Sequence, residues 1–419
     1  QNIILHLAIF IAGLSILSLY FRVKTTDKMF KIIYGTGRDL SEKIYSNIIY
    51  HNYDFFQKNT PPELQTKVNN ALIFTQRTIS PLFQSFAFGL QTLIIFISLA
   101  IIQPMMILPI FFIIITLYAT IIRKLKNSLR KKSLLTLNAD FDRNKKMHET
   151  SANIKNVIIE NLRKQHIINF SKSEKKGYFA RAEIDTLSVV PRYLVESVII
   201  SSVAVLSAGL SAIGNSEQDI MPSLALMGVA AMKILPNIQM IYQAWASVEG
   251  NRETLEHILE DLRECAATDP TNTNELGKKN SYLVETDKIS VSQGTKEILK
   301  SVNLKINLGE IVGIIGQTAS GKSSLMDTLM YLKEPSAGTL KVYGNAINSN
   351  NKHEWHAMIA HIPQSPYVYN RSIVGNIHTD KETEPNLDKV KWALKMACYD
   401  HGDAISSSRK VGDNGSTLS

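Results

Sequence analysis

Residues 313–324 read Gly-Ile-Ile-Gly-Gln-Thr-Ala-Ser-Gly-Lys-Ser-Ser. Gly316, Gly321, Lys322 and Ser323 meet the spacing G-x-x-x-x-G-K-[ST], with Gln317, Thr318, Ala319 and Ser320 between them and Ser324 after. Glycines at that spacing let backbone N–H groups close around phosphate oxygens. A lysine there is a point charge for β- and γ-phosphates, and the hydroxyl after it can ligate Mg²⁺. A helix N-terminus adds a partial positive charge. The β-branched run Ile311, Val312, Ile314 and Ile315 predicts a buried strand just before the loop, and Lys322–Leu332 has helical spacing just after it. The chemistry expected of this segment is nucleoside triphosphate binding.

The elements that must carry this loop are of two kinds. The chain has 419 residues, more than one domain's worth. Its first half segregates apolar residues. No charge occurs over residues 78–122, 1–21 or 197–216, and 220–248 carries only Lys233. A span needs about 20 apolar residues. Five spans are predicted, at 2–21, 79–101, 105–122, 194–214 and 220–247, with a turn at Gln103, Pro104 and Met105. A soluble core does not explain an uncharged run of that length.

The net charge of +9 does not point to nucleic acid, because of where the charge lies. Residues 123–192 hold 17 Lys+Arg against 7 Asp+Glu, while the connectors near 102–104 and 215–219 hold no Lys or Arg. Positive charge gathers on the cytoplasmic side of membranes. This puts 22–77 and 123–192 in the cytosol and both connectors outside. With five spans and a cytosolic nucleotide domain, Gln1 is expected outside, and 2–21 reads as a true span, lacking the basic start and cleavage site of a signal peptide. Cys265 and Cys398 fit neither a disulfide framework nor a zinc cluster.

The two cytosolic segments predict membrane helices that continue well beyond the bilayer. Each is interrupted: one at His51–Pro62, the other at His166–Gly177, where Ser171, Ser173 and Gly177 lie. A short transverse helix is expected at each tip. The last span is expected to continue to about Arg263. A Thr/Asn/Gly/Lys-rich linker follows. The expected domains are 1–263 for the membrane part, 264–281 for the linker and 282–419 for the nucleotide part. Strands are predicted around Ile298–Ile306, at Leu340–Tyr343 and at Met358–Ile362.

With these features in order, the chain resembles an ATP-binding cassette (ABC) exporter of the fused permease-plus-ATPase kind. Gly316–Ser324 is similar to its Walker A loop, and His361-Ile-Pro-Gln-Ser-Pro366 to its Q-loop, with Gln364 as the glutamine. Ser372-Ile-Val-Gly-Asn-Ile377 is similar to the S-I-x-x-N-I segment. Residues 411–419 resemble the lead-in to the L-S-G-G-Q signature, with Leu418 and Ser419 as its first two residues. Pro191–Glu196 and Met232–Pro236 most resemble lipid-linked oligosaccharide flippases. The resemblance implies a multi-pass α-helical membrane domain, five of six spans present, followed by an α/β P-loop nucleotide-binding domain. It also implies that Walker B, its glutamate and the switch histidine lie beyond Ser419.

The resemblance further implies ATP and Mg²⁺ as cofactors, with Lys322 and Gln364 in catalysis and Ser323 and Gln364 on the metal. It implies a dimer with a second half-transporter, a homodimer by expectation, in which Ser419 meets the partner's nucleotide. The setting is the plasma (inner) membrane, with lipid and an unidentified transported substrate as further partners. Two positions depart from the family. Gln293 stands where an aromatic residue usually stacks on adenine, leaving Tyr282 as an alternative platform, and Ala319 replaces a common glycine. Lys233, about 20 Å into the last span, reads either as a contact for an anionic head group or as a cation reaching for the interface. Arg192 and Glu196 read as an interfacial ion pair. A competing function is a nucleotide-binding membrane sensor that does not pump.

Overall fold

The computed structural model describes residues 2–102, 104–212, 217–263, 277, 282–294, 296–379, 383–399 and 410–412. Two compact units emerge, 1–271 and 272–419. The expected linker, apart from Gly277, and the expected signature residues Leu418 and Ser419 lie outside the described residues.

Among the described residues the first unit is built of helices and short turns. The stretches expected as spans fall in α1 (Asn2–Ile49), α4 (Ser80–Ile102), α5 (Pro104–Ala152), α7 (Arg163–Ala212) and, for the expected span 220–247, which is not among the membrane-length stretches found in the described residues, α8 (Glu217–Gly250). Four stretches among the described residues are long and apolar enough to cross a membrane: Ile3–Ile49, Pro61–Ile102, Ile107–Ala152 and Arg163–Val205. Their apolar side chains are largely exposed, as in a protein whose solvent is hydrocarbon; Ile3, Phe10 and Phe86 are examples. α5 packs along α7, and α8 packs against both α4 and α7. Ile114, Leu129, Ile184, Val195, Tyr242 and Ala246 form the core between α5, α7 and α8. Pro191 is buried inside α7, which continues unbroken past it.

The first interruption forms as expected. α1 ends at Ile49, and α2 (Tyr53–Lys58) starts at Asn52, whose side chain accepts from the Phe55 N–H at 3.1 Å. α3 (Pro61–Phe74) starts with a proline, and Glu63 accepts from the Thr60 N–H at 2.7 Å. Both are side-chain solutions to the orphan donors of a helix start. A π-helical turn, Thr75–Ile79, then joins α3 to α4.

The second interruption is not at 166–177. α7 runs unbroken through that stretch, and the short helix is α6 (Ile154–Ile159), between Asn153 and a left-handed Asn161 at φ 55°. Gly177 looked like a breaker but is a packing residue: a Cβ there would sit 2.8 Å from the Ala139 Cβ. Ser173 is likewise buried against α5, bonded by Lys146. Asparagine, which tolerates left-handed backbone, supplies the break.

α9 (Arg252–Arg263) follows a turn at Asn251. Ile258 packs with Ile44, Ile48 and Ala71, and Asp261 pairs with Lys67 at 2.5 Å.

The second unit contains a four-stranded antiparallel sheet in the order β2-β1-β3-β4, from β1 (Tyr282–Gln293), β2 (Lys296–Asn307), β3 (Ala337–Val342) and β4 (Asn345–Ala346). Register shifts interrupt the β1–β2 pairing, and Lys288 and Ser301 take positive φ. Ile289, Val291, Leu340 and Val342 are fully buried, with α10 (Lys322–Leu329) contributing Leu329 to the same core. Trp355, in α11 (Lys352–His356), closes it by donating its ring N–H to the Leu329 carbonyl at 2.8 Å.

Two expected strands are absent. Residues 311–316 and 359–362 have no strand pairing, and Ile311, Ile315 and Ile362 are at least nine-tenths exposed. Their sequence is strand-like, but a strand exists only against partners, and none among the described residues lies beside them.

Candidate functional site

The loop 316–324 is held between the end of the 311–316 segment and α10. Gly321 caps α10 at φ 93°, and the Leu325 N–H reaches its carbonyl at 2.8 Å. A Cβ on Gly321 would meet Leu299 Cδ2 at 2.9 Å and the Ile298 carbonyl oxygen at 3.4 Å, so the position needs glycine for both its backbone and its space. A Cβ on Gly316 would crowd Ser320 Oγ at 2.8 Å.

The Lys322 ammonium turns back over the loop and donates to the Gly316 and Gln317 carbonyl oxygens, at 2.7 and 2.6 Å. This holds the cation over the concavity that the loop encloses. A ligand with anionic oxygens would exchange neutral acceptors for charged ones, and charge-assisted bonds are about twice as strong as neutral ones. Ser323 follows on the first turn of α10.

The recess is about 500 Å³ and is lined by Ala319, Ser320, Gly321, Lys322, Ser323 and Ser324 from the loop and Lys296, Glu297 and Ile298 from β2. The loop residues were legible from spacing. The β2 residues were not: they arrive because Gly294, at φ 62°, turns the chain back on itself. Gln293 pairs with Lys296 at this same end of the sheet. Tyr282 pairs with Asn307 at the other end, and Lys305 lies over its ring. Eleven residues of strand at about 3.3 Å each separate the two positions. The two positions expected as adenine platforms therefore lie at opposite ends of β1, and Gln293 is at the end nearer the recess.

Ala319 lies in the recess at φ 64°, a left-handed conformation that costs an L-residue about 1–2 kcal/mol. Ala319→Gly is expected to stabilise the ligand-free protein by up to about 1 kcal/mol, since glycine's greater unfolded freedom offsets part of the relief. A thermal melt of the intact protein checks this; an unchanged or lower midpoint goes against it.

Gln364 is exposed in an irregular segment, and no described hydrogen bond joins it to Ser323 or Lys322. Burial pushes the Asp327 carboxyl up from its usual range, against the opposing pull of Lys333 and His361.

The S-I-x-x-N-I residues are structural. Ser372 caps α12 (Ile373–Ile377), its hydroxyl accepting from the Gly375 N–H at 3.1 Å. The Asn376 side chain clips Tyr369 by two bonds, donating to its carbonyl at 2.9 Å and accepting from its N–H at 2.8 Å. The buried Val411 donates its N–H to the Arg371 carbonyl at 2.9 Å, which ties residues 410–412 to this segment. α13 (Leu387–Met396) lies between, capped by Asn386.

In the helical unit, Lys233 is exposed and unpaired among the described residues. Arg192 and Glu196 form the expected ion pair at 3.9 Å, long and half-exposed, and so worth little.

Residues 299–419 match the family model described as "ABC transporter". A solved structure titled "Structure of a bacterial Atm1-family ABC exporter with ATP bound" superimposes with a TM-score of 0.77 over 93% of this chain and 69% of that one, at 14% identity. The fold is that of an ABC exporter. Among relatives, the "Probable ABC transporter ATP-binding/permease protein" of Haemophilus influenzae is 30% identical over 119 residues, 28% of this chain. The "Beta-(1-->2)glucan export ATP-binding/permease protein NdvA" of Agrobacterium fabrum is 27% identical over 225 residues, 52% of this chain. The alignments span 21% and 38% of those two relatives' own lengths. The exporter fold accounts for the pairing of a helical unit carrying membrane-length helices with a phosphate-loop unit.

Proposed function

We propose that the chain is one half of an ATP-driven exporter that moves a substrate across a membrane by alternating access. The observation that carries this is Lys322 held over a glycine-built recess, in a chain whose other unit has membrane-length apolar helices. The loop amides and Lys322 bind the β/γ-phosphates, and Ser323 and Gln364 fit the hard oxygen ligation that Mg²⁺ takes. Mg²⁺ supplies charge neutralisation at the phosphates when bound. Phosphoryl transfer to water depends mainly on positioning and such neutralisation.

The working unit is a dimer, a homodimer in the simplest case, since one chain carries one phosphate loop. Ser419, in the lead-in to the signature, then faces the partner's nucleotide. α2 and α6 serve as the coupling helices. The membrane is the plasma (inner) membrane, with the nucleotide unit in the cytosol. Export of a glucan by one relative, as its name states, and the flippase-like stretches in α7 and α8 both favour a glycan or lipid-linked substrate.

The orientation follows from the Lys/Arg asymmetry. A cysteine introduced at Asn215 is expected to react with an impermeant reagent on intact cells, and one at Lys145 only after permeabilisation. The reverse pattern would invert the topology and place the nucleotide unit away from ATP.

A further inference from the structure

Residues 123–139 of α5 carry Arg123, Lys124, Lys126, Arg130, Lys131 and Lys132 and no acidic residue. They follow directly on the uncharged run that ends at Ile122. Arg130 pairs with Glu253 at 3.4 Å, and Lys132 pairs with Glu183. Among the described residues Arg123, Lys124, Lys126 and Lys131 have no hydrogen-bond or ion-pair partner, and all of them are exposed. Farther along α5 the cations are matched again, as in Arg143 with Asp140 at 3.2 Å.

The same gradient holds on α1. Arg22 and Lys28, close to the uncharged run 1–21, are exposed and unpaired among the described residues, and Lys24 lies over the Tyr20 ring at 5.0 Å. Farther from the run, Lys31 meets Asp27 at 2.8 Å and Arg38 meets Asp39 at 2.6 Å. A bias of positive charge toward one side of a membrane accounts for the sign of these residues. It does not account for acids that serve the distant cations and not the near ones. A phosphate in the headgroup layer is a counterion available only to the near ones.

The geometry of α5 agrees. At 3.6 residues per turn, Arg123, Lys124, Lys126 and Lys131 share one side of the helix, opposite the buried Leu129 and the half-buried Leu125. Arg123 to Lys126 covers about 5 Å of helix, within a headgroup layer of roughly 5–8 Å on each side of the hydrocarbon. Lys131 lies about 8 Å further on, still within a Debye length of the surface.

We propose that this side of α5 is a docking surface for anionic phospholipid, whose headgroup phosphates are the counterions that the chain does not supply. Juxtamembrane clusters of this kind attract anionic lipid electrostatically. The Arg123 guanidinium presents a fork that matches phosphate, and the lysines act as point charges. The lipid is a boundary partner and not the transported substrate.

The inference rests on α5 spanning a membrane, and two label positions separate the claims. The complete transporter is prepared with Cys265→Ser, Cys398→Ser and any other cysteine replaced by serine. Asn127→Cys then carries a fluorophore among the cations, and in a second preparation Phe112→Cys carries it in the exposed apolar run. Each is reconstituted in phosphatidylcholine with a small, equal fraction of nitroxide-bearing phosphatidylglycerol or nitroxide-bearing phosphatidylcholine. At low salt the label at 127 is expected to be quenched about twofold more by phosphatidylglycerol. The excess should vanish in about 1 M salt, where the Debye length is about 3 Å. The label at 112 should show no preference. Arg123→Gln, Lys124→Gln, Lys126→Gln and Lys131→Gln combined should remove the excess. Lys145→Gln, Lys155→Gln, Lys164→Gln and Lys172→Gln combined lower the net charge equally and should leave it. Equal quenching by the two lipids, or an excess that survives in the first combined variant, overturns the proposal. Quenching at 112 but not at 127 means that protein covers the cations, and defeats the docking surface alone. Quenching at neither position defeats the membrane reading of α5 and the surface with it.

Discussion

Lys322→Ala is expected, on the proposed reading, to lower kcat/KM for ATP hydrolysis by about 10²–10³-fold, the loss usual when one preorganised electrostatic stabiliser is removed. The lysine now spends its bonds on the Gly316 and Gln317 carbonyls, at 2.7 and 2.6 Å. Among the loop residues 316–324 it is the only cation. Its removal leaves the loop amides and the α10 terminus in place, so nucleotide binding should weaken less than turnover falls. Steady-state kinetics on the reconstituted protein, with ATP binding titrated in parallel, gives both numbers. Turnover within a few-fold of the unsubstituted protein would remove Lys322 from the site.

Gly338→Ala is expected to destabilise the second unit by about 2–5 kcal/mol. Gly338 sits at φ 85°, and a Cβ there would lie 2.4 Å from the carbonyl oxygens of both Asp287 and Lys288. The left-handed backbone accounts for about 1–2 kcal/mol and the overpacking for about 1–3 more. Both obstacles are backbone atoms at the β1–β3 pairing, so no side chain can turn aside. Gly309 is the control: its φ is 79°, yet nothing lies within 4 Å of the added Cβ. Gly309→Ala should therefore cost only the backbone part. Thermal unfolding followed by the fluorescence of Trp355, buried in this core, measures the pair. Equal losses in the two variants would mean that the crowding at Gly338 is relieved by movement of the sheet.

These positions mark what a sequence discloses. The phosphate loop was legible because its requirements are local: Gly321 and Lys322 are fixed by spacing, and the loop folds around its own backbone. The interruption at α2 was legible for the same reason, since Asn52, Thr60, Pro61 and Glu63 are neighbours in sequence. Gly177 misled because glycine answers to two demands, turning a chain and admitting a close neighbour, and only the fold reveals Ala139 beside it. Ile311–Ile315 and Met358–Ile362 misled because β-branched composition states what a segment suits, whereas strand formation depends on partners elsewhere. The β2 wall of the recess was hidden because no spacing rule links Lys296–Ile298 to a loop two dozen residues later.

On the proposed reading, nucleotide turnover drives this protein. Its most direct measurement is Mg²⁺-dependent phosphate release by the purified complete transporter in lipid nanodiscs, with ATP binding measured on the same sample. Release that requires Mg²⁺ and saturates over the concentration range in which ATP binds is the predicted result. Saturable ATP binding with no phosphate release would contradict it, and the chain would then be a nucleotide-binding sensor in the membrane rather than a pump.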